Sequence, residues 1–218
     1  ATLRQAFPSV TILETGRNLG YAGGNNVGIR HALSQGAEYI CILNNDVIVA
    51  PDFLDLLLAP LAQDRNLGVA CPLIAEMDRP EIIWALGASV RRQDGNTIRL
   101  DEGEPMSALD GATPLEVQVA PGTAMLIKRE VFEKVGLLDE SFFLYYEEID
   151  WCLKVRRAGY RILAVPTSVI WHKVSATLGQ TSPVIDYYML RNQLLFTSHH
   201  WAGLARLSVQ ARIVLRNT

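Results

Sequence analysis

Short apolar runs of strand length alternate with stretches of helical pattern along most of this chain, and that alternation restricts its fold more than any other feature. Val10–Glu14 reads as a strand, Asn25–Gln35 as a helix and Tyr39–Leu43 as a second strand, which is a βαβ rhythm. Pro51 then opens a helix expected to reach Leu61, with Asp52 in its first turn suited to the helix dipole, and GVACPLIA supplies a further apolar strand. A parallel α/β sheet flanked by helices follows from such alternation. From Met77 to Leu115 the chain turns polar and irregular, with RRQDGNTIRL expected to form a hairpin around Asp94-Gly95, so this stretch reads as an insertion over a site. VQVAPGTAMLIKREVFEKVG returns to strand, turn, strand and helix, and FFLYYEEIDWCLKVRRAGY and RILAVPTSVIWHK add a helix and a last strand. A chain of 218 residues, 49% hydrophobic, can bury the core of one such domain.

Several function classes are disfavoured. The formal net charge is −3 and the basic residues are scattered, so no nucleic-acid footprint is present. Cys41, Cys71 and Cys152 are odd in number and widely spaced, which fits neither a disulfide framework nor a zinc site. No apolar run approaches the roughly 18 to 20 residues that span a bilayer, and the expectation is a cytoplasmic protein.

Polar residues at the ends of apolar runs mark the candidate site. In CILNNDVIVAP, Asp46 stands where a buried strand runs out, preceded by Asn44 and Asn45. Ligands of open α/β sheets bind beyond the carboxyl ends of strands, and a carboxylate there can hold a hard divalent cation; the plain alternative is a turn aspartate before Pro51. RNLGYAGGNNVGIRHAL has Gly20, Gly23, Gly24 and Gly28 ahead of or within a helix start at Asn25 or Asn26. Its backbone N–H groups could meet a phosphate and its amides, Asn18 and Asn25 among them, a ribose or base, unless it is simply a flexible turn with a good N-cap. In YYEEIDWCLKVRRAGY, Glu147, Glu148 and Asp150 crowd a helix start, where repulsion should raise at least one pKa toward that of a general base. The alternative is a solvated acidic turn balanced by Lys154, Arg156 and Arg157. Tyr145, Tyr146 and Trp151 beside the acids point to a carbohydrate or nucleotide site. His172 ends the run SVIWH, as a ligand or as an ordinary satisfied histidine.

NLGYAGGNNVGI, LNNDV, PGTAMLIKREVFEKVGLLDESFFLYYEEIDWCLKVRRAGYRI, WHKVSATLG and YYMLRN together resemble the family 2 glycosyltransferases, especially their rhamnosyltransferase-like branch that builds bacterial surface polysaccharides. The resemblance spans nearly the whole chain, in order. It implies the GT-A fold, α/β with a mostly parallel nucleotide-binding sheet, and a metal-binding D-x-D-type motif that reads Asn44-Asn45-Asp46 here. Asp46 inherits the role of ligand to Mg²⁺ or Mn²⁺, with His172 as the later histidine that completes the site and Asn45 beside the donor. The second acid of the later acidic motif, the general base, falls at Glu148, with Glu147 and Asp150 as rivals. The turn at Gly122, with Thr123, would border donor and acceptor sugars, and Tyr146 and Trp151 would line the acceptor.

The expected reaction is inverting transfer from a nucleoside diphosphate sugar to a hydroxyl of a glycan or lipid-linked acceptor. Glu148 would take the proton while an ion at Asp46 and His172 neutralises the leaving diphosphate. Two rivals stand: a catalytically silent sugar-nucleotide or glycan-binding module, favoured by Asn44 in place of an acid, and a metal-dependent phosphohydrolase or nucleotidyltransferase. The start of the chain beside Val10–Glu14 is expected to lack a first strand that the resemblance requires, leaving an edge that would favour a homodimer. Residues 1–182 are expected to form the catalytic domain and 183–218 a helical segment. Beyond Asp186 no acid occurs, and Leu204, Leu207, Ala211, Val214 and Leu215 recur at helical spacing beside Arg206, Arg212 and Arg216, a pattern that fits either contact with the inner face of a membrane or core packing.

Overall fold

The apolar runs become strands largely where they are expected. This computed structural model describes residues 2–173 and 183–216. Its elements are, in chain order, α1 (Thr2–Ala6), α2 (Gly20–Ser34), β1 (Tyr39–Leu43), β2 (Val47–Val49), α3 (Phe53–Gln63), β3 (Leu67–Glu76), β4 (Ile83–Ala85), β5 (Ala88–Val90), β6 (Thr97–Arg99), a 3-10 turn (Met106–Leu109), β7 (Leu115–Val117), β8 (Ala124–Lys128), α4 (Arg129–Val135), α5 (Glu147–Arg157), β9 (Arg161–His172), α6 (Pro183–His200) and α7 (Gly203–Arg216). The motif residues 174–179 and the 182/183 boundary fall outside or at the edge of the described residues.

Among the described residues the main sheet runs β1-β8-β3-β9-β2, with β4 on β3 and β7 on β9. β3 is buried along nine of its ten residues, as a strand covered on both faces must be. Val69, Cys71, Leu73 and Ala75 face α2 and α5, where Ile29, Cys152 and Val155 complete one core. The alternate residues Ala70 and Ile74 face α3, where Phe53, Leu57 and Leu61 complete the other. β3 and β9 are parallel and the remaining pairs of this sheet antiparallel, so the sheet is mixed. The βαβ reading missed this because β8 returns between β1 and β3 in the opposite direction. Pairing of β3 with β9 slips between Pro72 and Leu73, opposite Val165 and Val169, where Pro166, with no N–H to give a ladder, is accommodated in a bulge.

The hairpin expected at Asp94-Gly95 forms, β5 pairing with β6 from Ala88–Arg99 to Val90–Thr97. Two expectations fail. Val10–Glu14 is not a strand: its apolar side chains Val10 and Leu13 are exposed, and no described strand lies alongside to pair with it. The glycine-rich stretch is not a turn before a helix at Asn25, because α2 begins at Gly20. That start depends on glycine: Gly20 has φ +71, and a Cβ there would sit 2.1 Å from the carbonyl oxygen of Phe143. Asn18 Oδ1 accepts the Gly20 N–H at 2.9 Å, and the Tyr21 N–H binds Phe143 O at 2.9 Å, fixing the helix start on the loop before α5.

Candidate active site

Strand pairing brings Asp46 and His172 together. Val47, first residue of β2, pairs with His172 at the end of β9, and the Lys173 N–H donates to Asp46 O at 3.0 Å. His172 Nε2 therefore lies 3.3 Å from Asp46 Oδ1. Asp46 Oδ1 and His172 Nδ1 are buried without a hydrogen-bond partner, a state that a protein interior tolerates poorly. Burial lowers the His172 pKa below its usual value against the upward pull of Asp46, which keeps a nitrogen lone pair available at neutral pH. The carboxylate oxygen faces the Nε2 edge of the imidazole, and one oxygen and one nitrogen so placed are ligand types that a divalent ion accepts. Asn44 joins this corner to the next loop, its N–H donating to Thr123 O at 2.9 Å, while Asn45 is exposed at the turn.

The acidic helix start divides into two environments. Tyr145 and Tyr146, at φ 68 and 76, turn the chain through left-handed conformations that cost non-glycine residues on the order of 1–3 kcal/mol each. Asn192 of α6 stabilises this turn, donating to Leu144 O at 2.7 Å and Tyr145 O at 2.8 Å from a fully buried position. Glu147 follows, 3% exposed, with Oε2 unpartnered; burial and then Glu148 push its pKa up to about 9. Burial likewise raises Glu148, while the N–H groups of Glu148 and Ile149, the Arg99 charge and the Gly122 N–H act in the opposite direction. Gly122 abuts Glu148: a Cβ on it would lie 3.5 Å from Glu148 Cγ and 2.7 Å from Tyr21 Oη, and that hydroxyl donates to Gly122 O.

Asp150 points the other way. Its carboxylate is fully buried, accepting from or paired with His200 Nε2 at 2.8 Å, His199 Nδ1 at 3.0 Å and Lys154 Nζ at 2.6 Å. Burial alone would raise its pKa, but these partners outweigh it and bring it down to about 2. Asp139, Asp150 and His199 lie close enough to share an ion, yet the Lys154 ammonium already stands between the carboxylates, 3.8 Å from Asp139. Trp151 is fully buried, stacked on Phe132 with its Nε1–H donating to Gly136 O at 2.8 Å, so it faces the core and not a crevice. Tyr146 is buried too, its hydroxyl donating to Asn96 Oδ1 at 3.1 Å.

Of the glycine-rich candidates, Asn25 donates to Tyr21 O at 2.9 Å and Gly24 lies on an open helix surface. Asn26 is the buried one, its amide bonding Leu138 in both directions and Glu140 Oε1. Trp84 packs on His172, Arg99 on Trp84, Tyr21 on the Gly122 loop and Asn192 on the turn before Glu147, and none of the four is assigned a role from the sequence. Only Tyr21 and Asn192 carry a signal, within stretches that bear the resemblance.

The family model described as Glycosyl transferase family 2 matches residues 1–136. The dTDP-rhamnosyl transferase RfbF of Shigella flexneri is 27% identical over 194 residues, covering 85% of this chain and 62% of that protein, so the chain spans less than two thirds of that relative's length. The N-acetylglucosaminyl-diphospho-decaprenol L-rhamnosyltransferase of Mycobacterium tuberculosis is 25% identical over 240 residues, covering 98% of this chain and 76% of that protein. Among solved structures, GalNAc-T7 with UDP, GalNAc and Mn²⁺ superposes with a TM-score of 0.64 at 21% identity, over 88% of this chain and 38% of that one, a likeness of fold.

Proposed function

This chain belongs to glycosyl transferase family 2 and has the GT-A fold, and on that premise we propose that it transfers a sugar, with inversion, from a nucleoside diphosphate sugar to a hydroxyl of a glycan or lipid-linked acceptor. The observation that carries the proposal is the orphaned Asp46–His172 pair beside the loop that ends at Gly122, against which Glu148 packs. Asp46 and His172 would hold Mn²⁺ or Mg²⁺, which supplies positive charge for the leaving diphosphate. Glu148 accepts the proton of the attacking hydroxyl as the new C–O bond forms on one face of the anomeric carbon and the bond to the diphosphate breaks on the other. Burial raises both carboxyls, Glu147 to about 9, while at Glu148 the Gly122 N–H and the Arg99 charge act in favour of the ionised form that a base requires. Gly122 leaves room beside Glu148, and the tie from Tyr21 fixes that loop.

The Shigella relative is named for dTDP-rhamnose chemistry, so dTDP is the first nucleotide to titrate. Mn²⁺ should tighten dTDP binding by calorimetry, and Asp46→Ala should abolish that tightening with the fold intact; unchanged metal dependence would overturn the assignment. Donor bound but never turned over would favour the silent module, and nucleotide release without an acceptor a hydrolase.

The acceptor side of the proposal includes an anionic membrane surface. On α7, Leu204, Leu207, Val214 and Leu215 are exposed on the side opposite buried Val209 and Ile213, and Arg206 and Arg212 flank them with no acid in the helix. The mycobacterial relative is named for a decaprenol-linked substrate, and a long polyprenyl chain is apolar enough to partition into a lipid surface. Among the described residues no helix is long and apolar enough to cross a membrane. Cosedimentation with vesicles of anionic lipid should be lost in Leu204→Ser/Leu207→Ser, and binding that persists would refute this contact.

A further inference from the structure

The irregular segment between Met77 and Leu115 delivers a cation to the site. Arg99 ends β6 with its backbone held on both sides: it pairs with Ala88, and the next residue, Leu100, exchanges hydrogen bonds with Gly87 O and Leu86 N at 3.1 Å each. The hairpin is in turn tied to the strand before Gly122, the Ala88 N–H donating to Val119 O at 2.9 Å. From this base the guanidinium lies over Trp84, Cζ 4.1 Å from the ring centroid. The same indole meets the His172 imidazole edge to face, centroids 5.2 Å apart. Arg99 thus stands on a platform shared with the metal-site histidine, and its charge is felt by both His172 and Glu148.

A surface ion pair with Glu102 is the plain explanation of this arginine, since that contact exists and both side chains are partly exposed. It does not explain the platform. Exposed pairs three residues apart contribute little and need no aromatic support, whereas a guanidinium stacked on a fixed indole is pre-organised, with its planar fork ready for a second anion.

We infer that Arg99, laid on Trp84, is a phosphate-binding residue that receives the diphosphate charge of a substrate between His172 and Glu148. The inference rests on the glycosyl-transfer reading above. The diphosphate has two sources, the nucleotide donor or a polyprenyl diphosphate-linked acceptor, and the chemistry is shared. Glu102 occupies the guanidinium in the absence of substrate and must yield it.

Calorimetry with dTDP and with farnesyl diphosphate, each with Mn²⁺ and with chelator, separates the cases. Arg99→Gln should weaken one of the two probes by about 10- to 100-fold, the worth of a charge-assisted hydrogen-bonded contact, and the loss should persist in chelator. Arg99→Lys should restore part of the affinity, and Glu102→Gln should tighten the same probe. The probe that moves identifies the source. Wild-type affinity of Arg99→Gln for both probes overturns the inference alone. Failure of the wild-type protein to bind either probe overturns the glycosyl-transfer reading and this inference with it.

Discussion

Glu147→Gln should make this protein more stable, by an amount that depends on pH in a direction fixed by the buried carboxyl. In the unfolded chain a glutamate titrates near 4.5, and in the folded protein burial and the adjacent Glu148 hold Glu147 up to about 9. A raised carboxyl pKa means the folded state binds more protons, so the stability associated with this group is complete below 4.5 and is lost as pH rises toward 9. A pH of 7 lies about 2.5 units above the unfolded value and below the folded one. At about 1.4 kcal/mol per unit, holding the proton costs the fold about 3 kcal/mol. The amide has no proton to retain. It introduces its own hydrogen-bonding mismatch, but that offset does not vary with pH. Urea unfolding followed by tryptophan fluorescence at pH 5, 6, 7 and 8 should therefore show the variant gaining on wild type by about 1.4 kcal/mol per unit. Parallel stability curves for the two proteins across that range would refute the raised pKa of Glu147.

Glu148→Gln should lower turnover by roughly 10²–10⁴-fold with little change in nucleotide affinity, and turnover that stays within about tenfold of wild type would remove Glu148 from the role of base. Asp150 makes its own pH prediction: with a pKa lowered to about 2, its contribution of about 2 kcal/mol is present above 3.8 and lost as pH falls through 2, so Asp150→Asn should flatten the acid limb of stability, and an unaltered limb counts against it. Asn192→Ala frees two partly buried carbonyls and should cost about 2 kcal/mol in urea unfolding together with much of the turnover; a variant as stable as wild type would show that the turn holds itself. Gly122→Ala should reduce kcat because its Cβ would lie 2.7 Å from Tyr21 Oη, and Tyr21→Phe in the same chain should restore part of it; additive losses would place the damage elsewhere.

What the sequence disclosed follows from the range over which each signal acts. Periodicity and composition are local, and they located β1, α3, β3 and the hairpin at Asp94-Gly95. Sheet order is not local: nothing in AMLIK announces that β8 inserts between β1 and β3, and so the sheet is mixed. Asp46 and His172 were legible because each ends an apolar run, although only the pairing of β2 with β9 brings them to 3.3 Å. The three acids were legible as a cluster but not as individuals, since helical geometry sends Asp150 to His199 and His200 of α6 and leaves Glu148 beside Gly122. The glycine-rich stretch misled because glycine usually interrupts helices, whereas here Gly20 is required by the approach of Phe143 and α2 continues through the others. Arg99 and Trp84 carried no pattern, being single residues in an irregular segment whose path only the structure gives.

The turn at Tyr145 and Tyr146 has a consequence for how the protein is made. Its carbonyls are secured by Asn192, nearly fifty residues downstream, and Asp150 is secured by His199 and His200. The strands and α5 are translated before α6, so a nascent chain on the ribosome can lay down the sheet and the Asp46–His172 corner while the turn before Glu147 is still unsecured. The turn ahead of the acidic helix start is then secured only when α6 docks, after the sheet has formed.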